Sequence, residues 1–260
     1  MKKDKLKIGI FELTGCAGDA LLILDCEKEL IDIFNAADIL SFLMATSGNI
    51  DGKLDVAFVE GSVSTEKEIK ELRDIRKRAK TVVAIGTCAC FGGIQAAFLD
   101  QKEWKKHLEK VYGDCKMTHA KPIQSKPIDA YIKVNYYLPG CPISKEQFLS
   151  TFNRITRGNP PELYRFPVCV ECKWNENDCL LNRGIPCIGP VTRAGCGSIC
   201  PNHDLPCVGC WGLVEEANLD SEFQLLKDKG FDYGFIKKKL ANFSGTRIAD
   251  FLSKLKGEEK

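Results

Sequence analysis

Short apolar runs alternate with longer amphipathic stretches between residues 6 and 157. The apolar runs have the length of buried strands, whereas the amphipathic stretches repeat with a helical period. The predicted strands are residues 6–13, 39–44, 54–59, 81–85 and 131–138, and the predicted helices are residues 20–34, 65–79 and 145–157. Strands that alternate with helices are typical of an α/β fold with a parallel, doubly wound sheet.

This pattern ends at Gly158-Asn-Pro-Pro161, a composition typical of a linker between structural units. We therefore predict a first domain at residues 1–160 and a second unit at residues 161–260. The second unit opens with an irregular segment and becomes helical beyond Trp211. The fold class predicted for the whole chain is a doubly wound α/β domain, an irregular cysteine-rich domain and a helical C-terminal segment.

The irregular segment contains eight of the fourteen cysteines of the 260-residue chain. They are Cys169, Cys172, Cys179, Cys187, Cys196, Cys200, Cys207 and Cys210. The segment is rich in Gly, Pro and Asn and has little apolar periodicity, so it needs metal or covalent links to hold its shape. Two C-x2-C pairs indicate metal, because one tight turn supplies two ligands to one centre. The spacing leaves zinc and iron-sulfur clusters open.

Net charge and hydropathy restrict the remaining function classes. The formal net charge of +2 gives no reason to expect a nucleic acid or an acidic membrane surface as partner. The sequence contains no run of about 18 apolar residues, so no membrane-spanning helix is predicted. The first residues are basic, and the apolar stretch that follows them ends at Glu12, which is too early for a signal peptide. We predict a cytoplasmic protein, in which many cysteines indicate metal rather than disulfides.

Three further cysteines each follow a predicted strand: Cys16, Cys88 and Cys141. In a parallel α/β sheet, ligands bind outside the carboxyl ends of the strands, so these thiols are expected to converge at one edge. Asp19 lies at C-x2-C spacing from Cys16. Its carboxylate is a possible fourth ligand for iron, but Asp is equally typical of the N-cap of the helix that follows.

These residues belong to a set of motifs that resembles one family. The motifs are Thr14-Gly-Cys16, Val59-Glu-Gly61, Gly86-Thr-Cys-Ala89 with Gly92-Gly93, Pro139-Gly-Cys-Pro142, and Cys187-Ile-Gly-Pro-Val-Thr-Arg-Ala-Gly-Cys196. Together they are similar to the small, electron-transferring subunit of cytoplasmic multimeric nickel-iron hydrogenases. The likeness is to the sulfhydrogenase delta and deazaflavin-reducing hydrogenase gamma subunits, and it covers roughly residues 5 to 215.

The resemblance implies a flavodoxin-like first domain and three 4Fe-4S clusters. The implied proximal ligands are Cys16, Asp19, Cys88 and Cys141, with Asp19 where the family usually has cysteine. The implied distal ligands are Cys169, Cys172, Cys179 and Cys187, with Cys169 where many relatives have histidine. The implied medial ligands are Cys196, Cys200, Cys207 and Cys210, and Cys200 supplies the fourth thiolate that favours a 4Fe-4S over a 3Fe-4S cluster.

The same resemblance implies partners and a reaction. The chain would be an oxidoreductase subunit without a nickel-iron site of its own, which lies on a large subunit that oxidises dihydrogen or reduces protons. Electrons would pass to a flavin or iron-sulfur subunit, toward NADP. Neither nucleic acid nor a membrane span is implied.

Two other functions stay open from the residues. Cys169–Cys210 could hold two zinc ions in a protein- or nucleic-acid-binding module. A quinone-reducing subunit of the respiratory complex type would share the first domain, but such subunits lack the eight-cysteine extension.

Several residues receive a structural interpretation instead of a metal-binding one. Cys26, Cys90 and Cys115 are expected to be buried, inert thiols, and His203 is expected to be a loop residue. Glu60 is either a solvated strand end or the equivalent of a family glutamate near the proximal cluster.

Overall fold

Five parallel strands form the central sheet of the chain. A computed structural model describes residues 5–97, 101–113 and 121–255. Its strands are β1 (Leu6–Glu12), β2 (Ala37–Phe42), β3 (Leu54–Glu60), β4 (Val63–Thr65), β5 (Ala79–Ile85), β6 (Pro122–Lys126) and β7 (Tyr136–Leu138). The sheet has the order β2-β1-β3-β5-β7, and β4 pairs with β6 in a separate antiparallel ribbon. The predicted parallel α/β fold is confirmed.

Helices connect these strands and continue beyond the cysteine-rich segment. They are α1 (Gly18–Leu24), α2 (Leu30–Ala36), α3 (Glu66–Arg78), α4 (Gly86–Phe91), α5 (Gln101–Tyr112), α6 (Lys145–Thr156), α7 (Val168–Trp174), α8 (Leu219–Asp228), α9 (Tyr233–Ser244) and α10 (Ala249–Leu255). Helix α3 begins at a capping box, in which Thr65 and Glu68 each accept the other's backbone N–H. Within the described ranges, no helix has the length and apolar character needed to cross a membrane.

Two predicted elements differ from the structure. The helix predicted at residues 20–34 is wrong as one element, because a turn at residues 25–29 separates α1 from α2 and brings the fully buried Cys26 into the core. The strand predicted at residues 131–138 is confined to Tyr136–Leu138. Before it, the Asn135 side chain accepts the Val82 N–H at 2.9 Å, in place of a backbone carbonyl.

Each face of the sheet has its own apolar cluster, because successive strand residues point to opposite sides. One face packs against α1, α2 and α6 through Ile8, Phe58 and Phe148, and the two phenylalanine rings meet edge to face at 5.7 Å. The other face packs against α3 and α4 through residues such as Leu72 and Val82. The sheet is therefore covered on both sides, and its strand ends are left to form a site.

The cysteine-rich segment has a core that the C-terminal helices complete. Leu180, Ile188 and Val191 from the segment pack with residues of α8, α9 and α10, among them Leu226 and Ile236. Residues beyond Trp211 thus supply the apolar surface that the loops between the cysteines lack. Near Leu226, Glu222 of α8 is only 2% exposed.

The end of β5 approaches the start of α1 very closely at Gly86. Gly86 has φ +77°, and a Cβ at this position would lie 1.7 Å from Asp19 Oδ2. Only a residue without a side chain therefore lets the Asp19 carboxylate reach the carboxyl edge of the sheet.

We expect Gly86→Ala to lower the free energy of unfolding by about 2–4 kcal/mol, through left-handed backbone strain and the clash with Asp19. The matched control is Gly184→Ala, because Gly184 has φ +72° and a Cβ added there would have no other atom within 4 Å. It should lose only about 1 kcal/mol. Urea unfolding followed by circular dichroism without oxygen measures both losses, and equal losses would contradict the contact with Asp19.

A second prediction concerns pH and Glu222. Burial raises the pKa of this carboxyl group from its usual 4.5 to about 7. The folded state then holds a proton that the unfolded state has released, so stability falls as pH rises from about 4.5 to 7. Glu222→Gln should remove this loss, and its stability advantage over the wild type should grow between pH 5 and pH 8. Glu216→Gln, at an exposed position, should show no such trend when the unfolding free energy is measured across this range.

Candidate metal centres

The three strand-end cysteines and Asp19 line one pocket at the carboxyl edge of the sheet. This pocket has a volume of about 80 Å³, and its lining includes Cys16, Asp19, Cys88 and Cys141. Two glycines make room for the sulfur atoms: a Cβ on Gly18 would lie 3.2 Å from Cys16 Sγ, and one on Gly93 would lie 2.6 Å from Cys88 Sγ. The convergence expected from the parallel sheet is thus observed.

Asp19 lies inside the first turn of α1 and does not cap it. The N-cap is Ala17, with φ +61°, and its own side chain makes no capping hydrogen bond. The interpretation of Asp19 as an N-cap is therefore wrong. Its Oδ1 accepts the Ile143 N–H at 2.8 Å, two residues beyond Cys141. Burial raises the pKa of Asp19 to about 6, against the lowering effect of this hydrogen bond.

Glu60 serves the start of α1 from a distant strand. Its carboxylate accepts the Ala20 N–H and a backbone hydrogen bond from Ala17. Glu60 is only 2% exposed, so its interpretation as a solvated strand end is wrong. Burial, and then the nearby Asp19 carboxylate, raise the pKa of Glu60 to about 7. Glu60 satisfies free N–H groups of the helix start, and Asp19 is left to face the pocket.

A second group contains the first four cysteines of the cysteine-rich segment. Cys169 interacts with Cys172, Cys179 and Cys187, and burial followed by these neighbours raises its pKa to about 12. Gly189 lies close to two of the sulfur atoms, because a Cβ added to it would be 3.3 Å from Cys169 Sγ and 3.5 Å from Cys187 Sγ. The structure thus brings these four predicted residues to one locality.

The other four cysteines form a third group between the first two. Burial raises the pKa of Cys210, as do its neighbours Cys207, Cys196, Cys141 and Cys200. Cys141 belongs to the strand-end pocket, and the Thr87 hydroxyl of that edge donates to the Cys210 carbonyl. On the other side, the Cys207 N–H donates to Cys187 Sγ at 3.3 Å. The three groups therefore form a continuous row.

Sequence reasoning missed Glu171, which connects two of these groups. It is the third residue of the Cys169-Val-Glu-Cys172 motif and is 7% exposed. Its carboxylate accepts N–H groups from Gly195 and Ser198, on either side of Cys196. The available signal was the position of Glu171 itself. This charged residue stands between Cys169 and Cys172, two cysteines that must face inward.

The cysteines outside the three groups have structural surroundings where they are described. Cys26 and Cys90 are fully buried, and their thiols donate to the carbonyls of Leu22 and Ala84. Their interpretation as buried thiols is confirmed, whereas Cys115 lies outside the described residues. His203 is exposed in a short 3-10 turn, in agreement with a loop role.

The chemistry of these groups fits iron-sulfur clusters. Burial raises the pKa of Cys88 to about 11 and that of Cys207 to about 12, so thiolates at these positions need a cationic centre to offset their charge. Among the described residues, no set of three or more His, Cys, Asp or Glu is placed to hold a single metal ion. A cluster binds each thiolate to a different iron, so its ligands need not meet at one point.

The first domain matches a known family. The family described as "NADH ubiquinone oxidoreductase, 20 Kd subunit" matches residues 16–155. This range contains the strand-end cysteines but stops before the cysteine-rich segment.

Two curated relatives extend through that segment. Sulfhydrogenase 2 subunit delta of Pyrococcus furiosus is 41% identical over 224 residues, which cover 86% of this chain and 93% of the relative. A subunit of the F420-non-reducing hydrogenase vhu of Methanocaldococcus jannaschii is 31% identical over 242 residues, covering 82% of this chain and 83% of the relative.

Solved structures share the fold. A chain of an NAD+-reducing [NiFe]-hydrogenase in the H2-reduced state matches with a TM-score of 0.52 and 25% identity, covering 61% of this chain and 95% of its own length. A chain of the H2-activated [NiFeSe]-hydrogenase of Dm. baculatum matches with a TM-score of 0.57 and 17% identity, covering 85% of this chain and 98% of its own. This second likeness concerns the fold alone.

The two curated relatives are hydrogenase subunits, and they match the chain on both sides of residue 155. They therefore favour a hydrogenase subunit over a quinone-reducing subunit, which would share the first domain only. The chain therefore belongs to the family of nickel-iron hydrogenase small subunits, and it is an electron-transferring subunit of an oxidoreductase whose catalytic site lies on another chain.

Proposed function

We propose that the chain relays electrons through three 4Fe-4S clusters, held in order along its row of cysteines. Cys16, Asp19, Cys88 and Cys141 would hold the proximal cluster, Cys196, Cys200, Cys207 and Cys210 the medial one, and Cys169, Cys172, Cys179 and Cys187 the distal one. Clusters of this kind, when bound, supply one-electron transfer at potentials set by their ligands and surroundings.

The continuity of the row is the observation that carries this proposal. Cys141 and Cys210 connect the strand-end pocket to the third group, and Cys207 and Cys187 connect the third group to the second. Relay requires neighbouring sites with protected interiors and accessible ends. Cys16 is exposed at one end of the row, and Trp174, at the end of α7 and two residues after Cys172, is 68% exposed near the other.

Two partners follow from the two ends. The exposed edge around Cys16 and Cys141 would face the large subunit that holds the nickel-iron site. The end at α7 would face a flavin or iron-sulfur subunit, and NADP would be the final acceptor of the assembled complex in the cytoplasm. NADP is chosen on the resemblance to the sulfhydrogenase group, and the chain is 41% identical to the sulfhydrogenase subunit against 25% to the delta subunit of the NAD-reducing hydrogenase HoxS. Rates of dihydrogen-dependent reduction of NADP and NAD by that complex test it.

Metal analysis tests the number of clusters. Protein purified without oxygen should contain about twelve iron atoms and as many acid-labile sulfides per chain, and no nickel. About eight iron atoms with an intact first domain would mean that Asp19 does not complete a stable proximal site in the isolated chain. Two zinc ions without sulfide would overturn the relay and support a zinc-stapled binding module. Mössbauer spectra of iron-enriched protein identify the cluster type.

A substitution tests the ligand role of Asp19. Asp19→Cys should lower the potential of the proximal cluster, since a thiolate donates more electron density to iron than a carboxylate does. A tenfold change in the one-electron equilibrium corresponds to about 59 mV, which is the expected scale. The control is Asp25→Cys, which adds a thiol at the exposed C-cap of the same helix. An unchanged proximal potential and spectrum in Asp19→Cys would exclude Asp19 as a ligand.

A further inference from the structure

Glu171 lies between Cys169 and Cys172 of one cysteine group and contacts the loop of Cys196 in another group. Its backbone belongs to α7, directly before Cys172. Its side chain crosses to the loop that contains Cys196, and the whole residue is 7% exposed. A buried carboxylate is unfavourable unless hydrogen bonds or a positive charge offset the loss of its hydration.

The carboxylate holds the Cys196 loop on both sides of the sulfur ligand. Glu171 Oε1 accepts the Gly195 N–H at 2.8 Å, and Oε2 accepts the Ser198 N–H at 3.2 Å. Ser198 has φ +51°, which is strained for a residue with a side chain, whereas Gly195 has φ +133°, which glycine adopts without such strain. The two hydrogen bonds thus stabilise a loop conformation that its backbone alone does not favour.

The same carboxylate places a negative charge beside the Cys196 sulfur. Glu171 Oε2 lies 4.0 Å from Cys196 Sγ. Across the residues that the structure describes, no lysine or arginine forms an ion pair with Glu171. A charge that is not neutralised and lies close to a buried redox centre opposes the addition of an electron.

We propose that Glu171 is a positioning residue of the medial site, which fixes the Cys196 loop and lowers the reduction potential of the cluster held there. The inference rests on the proposed function, because it needs a cluster on Cys196. Glu171 thereby couples α7, which carries Cys169 and Cys172, to the Cys196 loop, because any movement of α7 also moves the charge beside Cys196.

The test compares Glu171→Gln with Glu176→Gln in the full chain purified without oxygen. Both substitutions remove one carboxylate near α7, but Glu176 is exposed and faces solvent. Redox titration followed by electron paramagnetic resonance gives the potentials, and a Cys196→Ser variant identifies the medial signal. Glu171→Gln should raise the medial potential by about 59 mV, a tenfold change in the one-electron equilibrium, and leave the other two unchanged. Glu176→Gln should shift none of them.

Iron and sulfide contents separate the possible failures. A wild-type chain without a cluster on Cys196 would refute the proposed function, independently of Glu171. A fully loaded Glu171→Gln variant with the wild-type medial potential, or an equal shift in Glu176→Gln, would overturn the role of Glu171. If Glu171→Gln loses medial iron, the Glu171→Asp variant tests the role of Glu171 instead. Aspartate keeps the negative charge but holds it farther from Cys196, because its side chain is one methylene shorter. A smaller upward shift in Glu171→Asp supports the role, and an unchanged potential overturns it.

Discussion

The cost of burying thiolates governs the structure of this small subunit. In each of the three groups burial raises the pKa of cysteine thiols, among them Cys88, Cys169 and Cys207, and buried thiolates of this kind need a cationic centre to offset their charge. The same burial that makes the sites unfavourable when empty protects a bound redox centre from water and sets its potential. The loops close to the sulfur atoms contain glycines, which allow the close approach. Because glycine does not fix the backbone conformation, other parts of the chain must stabilise these loops.

Two carboxylates supply much of that support. Glu60 reaches from the end of β3 to the first N–H groups of α1, and Glu171 reaches from α7 to the amides around Cys196. In each case an acceptor from one element satisfies backbone donors close to a cysteine of the three groups, Cys16 for Glu60 and Cys196 for Glu171. These segments are irregular, but the N–H groups of Ala20, Gly195 and Ser198 have hydrogen-bond partners.

The remaining support comes from the packing between the two halves of the chain. The Thr87 hydroxyl connects the strand-end edge to Cys210, and the helices after Trp211 provide the apolar partners of Ile188 and Val191. If this row of cysteines holds redox centres as proposed, it needs a rigid surrounding, because the rate of electron transfer depends on the distances between the centres. The sheet supplies that rigidity at one end of the row and the C-terminal helices supply it at the other.

The amino-acid sequence by itself determined the parallel α/β fold and the grouping of its cysteines. Alternating strand and helix periods allow few topologies, and a parallel sheet necessarily collects Cys16, Cys88 and Cys141 at one edge. Only the tertiary structure decided which groups Asp19, Glu60 and Glu171 contact. Local pattern left Asp19 equally typical of a metal ligand and of the N-cap of α1, whereas the carboxylate that accepts N–H groups at the start of this helix is Glu60, forty residues away from Ala20. Such contacts join residues that are distant in sequence, and a local pattern contains no information about which of them meet after folding.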